Sequence, residues 1–107
     1  MDDKEIEQEI IEKGLTAPRV TIEGINAKIA TELYMIVPET AVTVCAITLK
    51  NGFVVTGMSA PASPENYDKE LGRKISRAKA FDSIWPLEGY LLKEVLYMAK
   101  QHNEQNG

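Results

Sequence analysis

The residues best suited to chemistry lie in the run 69–79. There Lys69, Arg73 and Arg77 recur at i, i+4 and i+8, with Lys74 and Lys79 beside them and Glu70 as the one acid. On a helix this spacing makes a basic stripe. An arginine's planar fork of donors suits phosphate, so Arg73, Lys74 and Arg77 are candidate ligand-binding residues, with Tyr67 or Trp85 stacking on a base. Two other readings rank ahead of nucleic acid. One is a plain solvated helix face. The other is a strip that receives the acidic N-terminal arm of the same or another subunit.

Other chemistry finds little support. Cys45 sits among apolar strand residues, and the single histidine, His102, lies far along the chain in a polar tail. A nucleophile needs a base within reach, so a structural thiol is the expected role. Asp68 with Glu70, and Glu65 near Asp68, read as capping and solvated charge rather than an acid–base pair. No phosphate-binding glycine loop is present, and one Cys with one His implies no metal site. No catalytic residue, cofactor or metal is expected, and the chain reads as a non-enzyme.

The 107 residues, 44% of them hydrophobic, suit one small domain. Of the net charge of −4, all resides in the first 13 residues, where six acids face Lys4 and Lys13; beyond them acids and bases balance. A core without net positive charge disfavours a nucleic-acid partner. No apolar run reaches the roughly 18 residues of a spanning segment, and an acidic start is unlike a secretion signal. A cytoplasmic protein with no membrane partner is expected.

These side chains need elements to position them. Residues 2–13 form a helix with a thin stripe of Ile6, Ile10 and Ile11, ended by Gly14. Thr21 caps a second helix over 22–33, and residues 34–37 have the character of a further strand. Asn51-Gly52 between β-branched runs predicts a hairpin with a two-residue type I′ turn. That turn places Leu49 opposite Val54, Ile47 opposite Thr56 and Cys45 opposite Met58. Both faces of such a ribbon are mainly apolar, so both call for cover. Ser63-Pro64-Glu65 predicts the start of a helix running to Trp85, with Tyr67, Leu71, Ile75 and Ala78 on its buried face, and Pro86 as its break. A last helix over 87–101 is apolar around most of its circumference. Such a helix must be buried, so Leu87, Tyr90, Leu91, Val95 and Met98 are the expected interface of a homo-oligomer.

The fold expected is therefore α+β: an antiparallel hairpin, with a third strand in prospect, packed with three to four helices and mostly helical overall. The division is an acidic arm over 1–16, one domain over 17–101 and a frayed polar tail over 102–107.

Several segments also resemble a known family. Ala17-Pro18-Arg19-Val20-Thr21, Thr48-Leu49-Lys50-Asn51-Gly52-Phe53, Ser63-Pro64-Glu65-Asn66-Tyr67-Asp68, Gly72-Arg73-Lys74 and Ile84-Trp85-Pro86-Leu87-Glu88-Gly89-Tyr90 occur in this order. Together they resemble small tailed-phage proteins named for gene 49 and gene 66 members, over about 17–96. The resemblance implies a bacteriophage origin and action in the host bacterial cytoplasm, and it brings no catalytic residue with it. Phage accessory proteins of this size suggest host interaction or counter-defence by a homo-oligomeric binding module. The alternatives are sequestration of a nucleotide-type immune signal between subunits and, behind that, nucleic-acid binding.

Overall fold

The structure is a computed structural model and describes residues 2–106. The fold is α+β. It divides into two compact units: Lys28–Trp85, and the segments up to Ala27 and from Pro86 onward.

In the first unit, three strands form an antiparallel sheet in the order β1-β2-β3: β1 Ile29–Ile36, β2 Thr43–Leu49 and β3 Val54–Ser59. The helix predicted over 22–33 ends early. Helix α2 covers only Ile22–Lys28, and Ile29 to Leu33 join the strand predicted from residue 34. Tertiary pairing outweighs the helical spacing of Ile25, Ile29 and Leu33, because β2 offers a whole row of backbone groups and two strands alone are marginal. Pro38 and Glu39 make the β1–β2 turn, with Thr40 N–H donating to Val37 C=O at 3.1 Å and Glu39 at a φ of 64°. Proline followed by positive φ is the type II pattern.

The β2–β3 hairpin forms where Asn51-Gly52 predicts it, but one residue out of register. Leu49 N–H donates to Phe53 C=O and Gly52 N–H to Leu49 C=O, both at 2.8 Å. Gly52 alone in this loop has positive φ, at 92°. The connection is thus a three-residue loop with a glycine bulge, not a type I′ turn. Ile47 pairs with Val55 and Cys45 with Gly57. A one-residue slip exchanges faces. Val55, Gly57 and Ser59 therefore join Thr43, Cys45, Ile47 and Leu49 on the buried side, while Val54 and Met58 are exposed.

Helix α3, Lys69–Asp82, lies on β2 and β3. Ser63-Pro64-Glu65 produces only a 3-10 turn, Pro64–Asn66; the true cap is Asp68, whose carboxylate accepts from Leu71 N–H at 2.8 Å. The buried face also differs from the predicted one. Gly72, Ser76, Ala80 and Phe81 are buried, whereas Tyr67, Leu71 and Ile75 are exposed. The reason is close approach. A Cβ on Gly57 would lie 2.1 Å from the Ser76 carbonyl oxygen, so the helix backbone rests directly on the strand. Only small residues fit beneath a helix held that near. The outer sheet face, for which cover was expected, presents Leu33, Met35, Val54 and Met58 exposed.

The second unit holds α1, Asp3–Glu12, and most of α4, Ile84–Asn106. Asp2 caps α1, and Gly14, at a φ of 68°, ends it in a Schellman motif: Leu15 N–H donates to Ile10 C=O and Gly14 N–H to Ile11 C=O. Glu7 accepts from Ile22 N–H at 2.8 Å and from Arg19 at 3.3 Å, so one acid of α1 caps the start of α2 beside Thr21, whose hydroxyl accepts from Gly24 N–H. The break predicted at Pro86 falls at Ser83, the C-cap of α3. Pro86 lies in the first turn of α4, where its missing N–H costs nothing. The helix continues through Asn106; Gly107 lies outside the described residues.

Candidate functional site

The Asp68 cap sets the phase of α3, and that phase turns Lys69, Arg73 and Arg77 toward β1. Glu32 and Tyr34 are waiting there, opposite Ile47 and Cys45 of β2. Arg77 pairs with Glu32 through its Nε and lies over the Phe81 ring, 5.4 Å from its centroid. Arg73 lies over the Tyr34 ring at 5.1 Å. Lys74 points away and meets Glu70 at 3.7 Å on the exposed side. Much of the basic stripe is thus bound to its own unit.

A cavity of about 180 Å³ opens between β1 and the start of α3, walled by Tyr34, Met35, Ile36, Thr43, Lys69 and Arg73. A second, of about 250 Å³, lies along the other side of α3 with Tyr67, Leu71, Ile75 and Lys79 on its wall. Thr43 borders both, and its buried hydroxyl has no hydrogen-bond partner among the described residues.

The five predicted ligand residues do not share one cavity. Tyr67 belongs to the larger, Arg73 to the smaller, Arg77 and Lys74 are ion-paired, and Trp85 packs edge-on against Phe81 at 6.3 Å. Lys69 is the residue that sequence reasoning placed in the stripe but left out of the site. Its i, i+4 relation to Arg73 was the available signal. Tyr34 and Thr43 carried none, because they reach this cavity through strand pairing.

Cys45 is fully buried in the sheet. Burial pushes its thiol above the usual range, and Glu32 adds to this; a hydrogen bond with Tyr34 and the Arg77 charge oppose it. Burial likewise raises the Tyr34 hydroxyl, with Cys45 and Glu32 contributing. A thiol held protonated is a poor nucleophile. Among the described residues no group of three or more His, Cys, Asp or Glu could hold a metal, and no helix is long and apolar enough to cross a membrane.

On α4, all five predicted interface residues are exposed in the single chain: Leu87, Tyr90, Leu91, Val95 and Met98.

Comparison with known families gives a match over residues 20–96 to the phage protein family described as N4 Gp49/phage Sf6 gene 66. The chain belongs to this family. The match takes in both cavities, the sheet, α3 and α4 as far as Leu96, and leaves α1 outside. No curated protein and no solved structure matches the chain.

Proposed function

We propose that this phage protein is a non-enzymatic accessory factor, a homo-oligomeric binding module that acts in the cytoplasm of the infected bacterium by engaging a host component or blunting a host defence. One observation carries the reading: the apolar surface of α4 is uncovered in a single chain. Tyr90 is 71% exposed and Met98 64%, with Leu87, Leu91 and Val95 on the same side of the helix. Leu87, Leu91, Val95 and Met98 follow a spacing of four, four and three, which brings side chains into one seam between paired helices. An exposed apolar strip of this length marks an association surface. A second copy supplies a partner strip of the same shape, and closed symmetric pairing is the commonest arrangement of soluble oligomers.

Light scattering across micromolar concentrations tests the assembly. The expected mass is at least twice the chain's 11.9 kDa. Leu91→Glu with Val95→Glu is expected to reduce the mass while circular dichroism keeps its α+β signature. A wild-type monomer throughout that range overturns the proposal.

A further inference from the structure

We propose that β1 is a pairing edge: it joins, antiparallel and about a twofold axis at Tyr34, the β1 strand of a second copy of this chain, making one six-stranded sheet from two three-stranded ones. This surface is separate from the α4 strip and stands or falls without it.

β1 lies at one edge of the sheet, bordered by β2 alone. Val37 N–H donates to Val42 C=O at 3.0 Å and Lys50 N–H to Lys28 C=O at 2.8 Å. The even-numbered residues of β2 therefore face β1. Alternation along the antiparallel ladder then turns the backbone groups of Leu33 and Met35 toward β2, and those of Glu32, Tyr34 and Ile36 away from it. Helix α3 is seated on β2 and β3, inward of this edge. Every residue of β1 is exposed except Ile29 and Tyr34, which are half-buried.

An edge of this kind is a template for another strand, and proteins blunt it with lysines, prolines or bulges. Residues 31–37 carry none of these: the register shift falls between Ile29 and Thr31, and Pro38 comes just after. Glu32, the one charge in that run, is already paired with Arg77. The other edge, β3, is six residues long and holds Gly57, which offers no side chain to a cross-strand neighbour.

The regular run 31–37 has its midpoint at Tyr34. A twofold there sets Tyr34 against its own copy, Leu33 against Met35 and Glu32 against Ile36. Twofolds at Leu33 or Met35 draw the irregularity at Ala30 or Pro38 into the ladder, and one at Glu32 sets two carboxylates face to face. On the outer side of the sheet the Tyr34 register makes two apolar pairs of Leu33 with Met35, both exposed in a single chain. On the inner side it places Glu32 of the partner subunit opposite Ile36, at a cross-strand Cβ spacing of about 5 Å. Ile36 lines the cavity that Lys69 and Arg73 also line. Among the described residues no ion pair joins a carboxylate to either cation. Each copy thus brings a carboxylate to the place where the other has two cations, and the two carboxylates stay four positions apart.

Disulfide trapping tests the edge and its register together. Across the seam Leu33 and Met35 form a non-hydrogen-bonded pair with Cα atoms about 4.5 Å apart, within the roughly 4.4–6.8 Å that a disulfide spans. Co-expressed Leu33→Cys and Met35→Cys chains are expected to give a crosslinked heterodimer under mild oxidation, and either chain alone is not. Leu33→Lys with Met35→Lys puts lysine opposite lysine and is expected to weaken pairing about tenfold. Leu33→Lys with Met35→Glu puts opposite charges together and is expected to restore it. Amide exchange at Glu32, Tyr34 and Ile36 should slow as protein concentration rises, and should do so equally in the Leu91→Glu, Val95→Glu protein. That background separates this seam from the α4 contact: its mass reports on α4, and the β1 amides report on the edge. Edge amides that stay unprotected at every concentration overturn the proposal and leave the edge free for a different chain. Crosslinking in Leu33→Cys alone as fast as in the mixture overturns the register, as do equal affinities for the two charged double variants.

Discussion

Gly57→Ala is the sharpest test of how α3 is seated. The added methyl would lie 2.1 Å from the Ser76 carbonyl oxygen, 2.4 Å from the Ala80 nitrogen and 2.9 Å from Lys79 Cβ, against an ordinary contact of 3.4 Å or more. Two of these neighbours are helix backbone, which has no rotamer to change. The helix must withdraw by the difference between 3.4 and 2.1 Å, although Gly72, Ser76, Ala80 and Phe81 are buried on it. A gap of even about 0.5–1 Å forfeits a quarter to a half of the dispersion well at each contact. Overpacking alone costs about 1–3 kcal/mol; with backbone on the receiving side, a loss of about 3–5 kcal/mol is expected. Since small domains hold only about 5–15 kcal/mol, much of the protein's stability would go. Urea unfolding followed by circular dichroism measures this as a fall in midpoint at unchanged slope. Gly52→Ala calibrates the scale: its φ is 92° with open space around it, so only backbone strain of about 1–2 kcal/mol is at stake. If Gly57→Ala costs no more than Gly52→Ala, the helix is not resting on β3 and the account of the core is wrong.

Other perturbations follow from the same contacts. Gly72→Ala brings a Cβ 2.7 Å from Thr43 Oγ1 and should destabilise by about 1 kcal/mol despite the better helix propensity of alanine; Thr43→Ala in the same chain should recover part of that loss, a coupling that a double-mutant cycle reads directly. Glu39→Gly relieves a φ of 64° and should raise the melting temperature by an amount equivalent to about 0.5–1 kcal/mol; a fall would show that the Glu39 side chain has a compensating role. Alkaline pH should destabilise the fold. Burial raises the Cys45 and Tyr34 values, so the unfolded chain loses these protons first and stability falls from the ordinary thiol range upward. Denaturant midpoints measured across that range should fall less steeply for Cys45→Ala than for the wild type, and parallel curves would refute the assignment.

Local signals held where one residue decides a local geometry. Gly14 ends α1, Thr21 begins α2, and Asn51-Gly52 marks the β2–β3 reversal. The failures share a cause: each depended on which of two plausible partners a backbone segment met. Residues 29–33 have helical spacing, and β2 recruits them as a strand. Ser63-Pro64 has the form of a helix start, yet Asp68 has a carboxylate that reaches Leu71 N–H and therefore sets the cap. The hairpin slipped because only Gly52, not Asn51, adopts positive φ. Arg73 could be chosen from its residue type and spacing. Its partnership with Tyr34, Thr43 and Lys69 depends on the registers of β1 and α3 and could not be.

The rotated face of α3 explains why the basic stripe divides its labour. A helix buried through Leu71 and Ile75 would have turned its cations elsewhere. Seated instead on Gly57 through Gly72, Ser76 and Ala80, it brings Arg77 to Glu32 and Arg73 to Tyr34. That leaves Lys69 and Arg73 at the cavity without carboxylate ion pairs among the described residues. The small buried residues and the division of the basic stripe are thus consequences of one packing choice. Moving the helix by Gly57→Ala should disturb the Arg77–Glu32 pair along with the core, whereas Lys69→Gln, at an exposed position without a carboxylate ion pair among the described residues, should change stability by no more than about 0.5 kcal/mol. A larger loss in Lys69→Gln would mean that the lysine serves the fold, and the seating of α3 would then rest on more than its small residues.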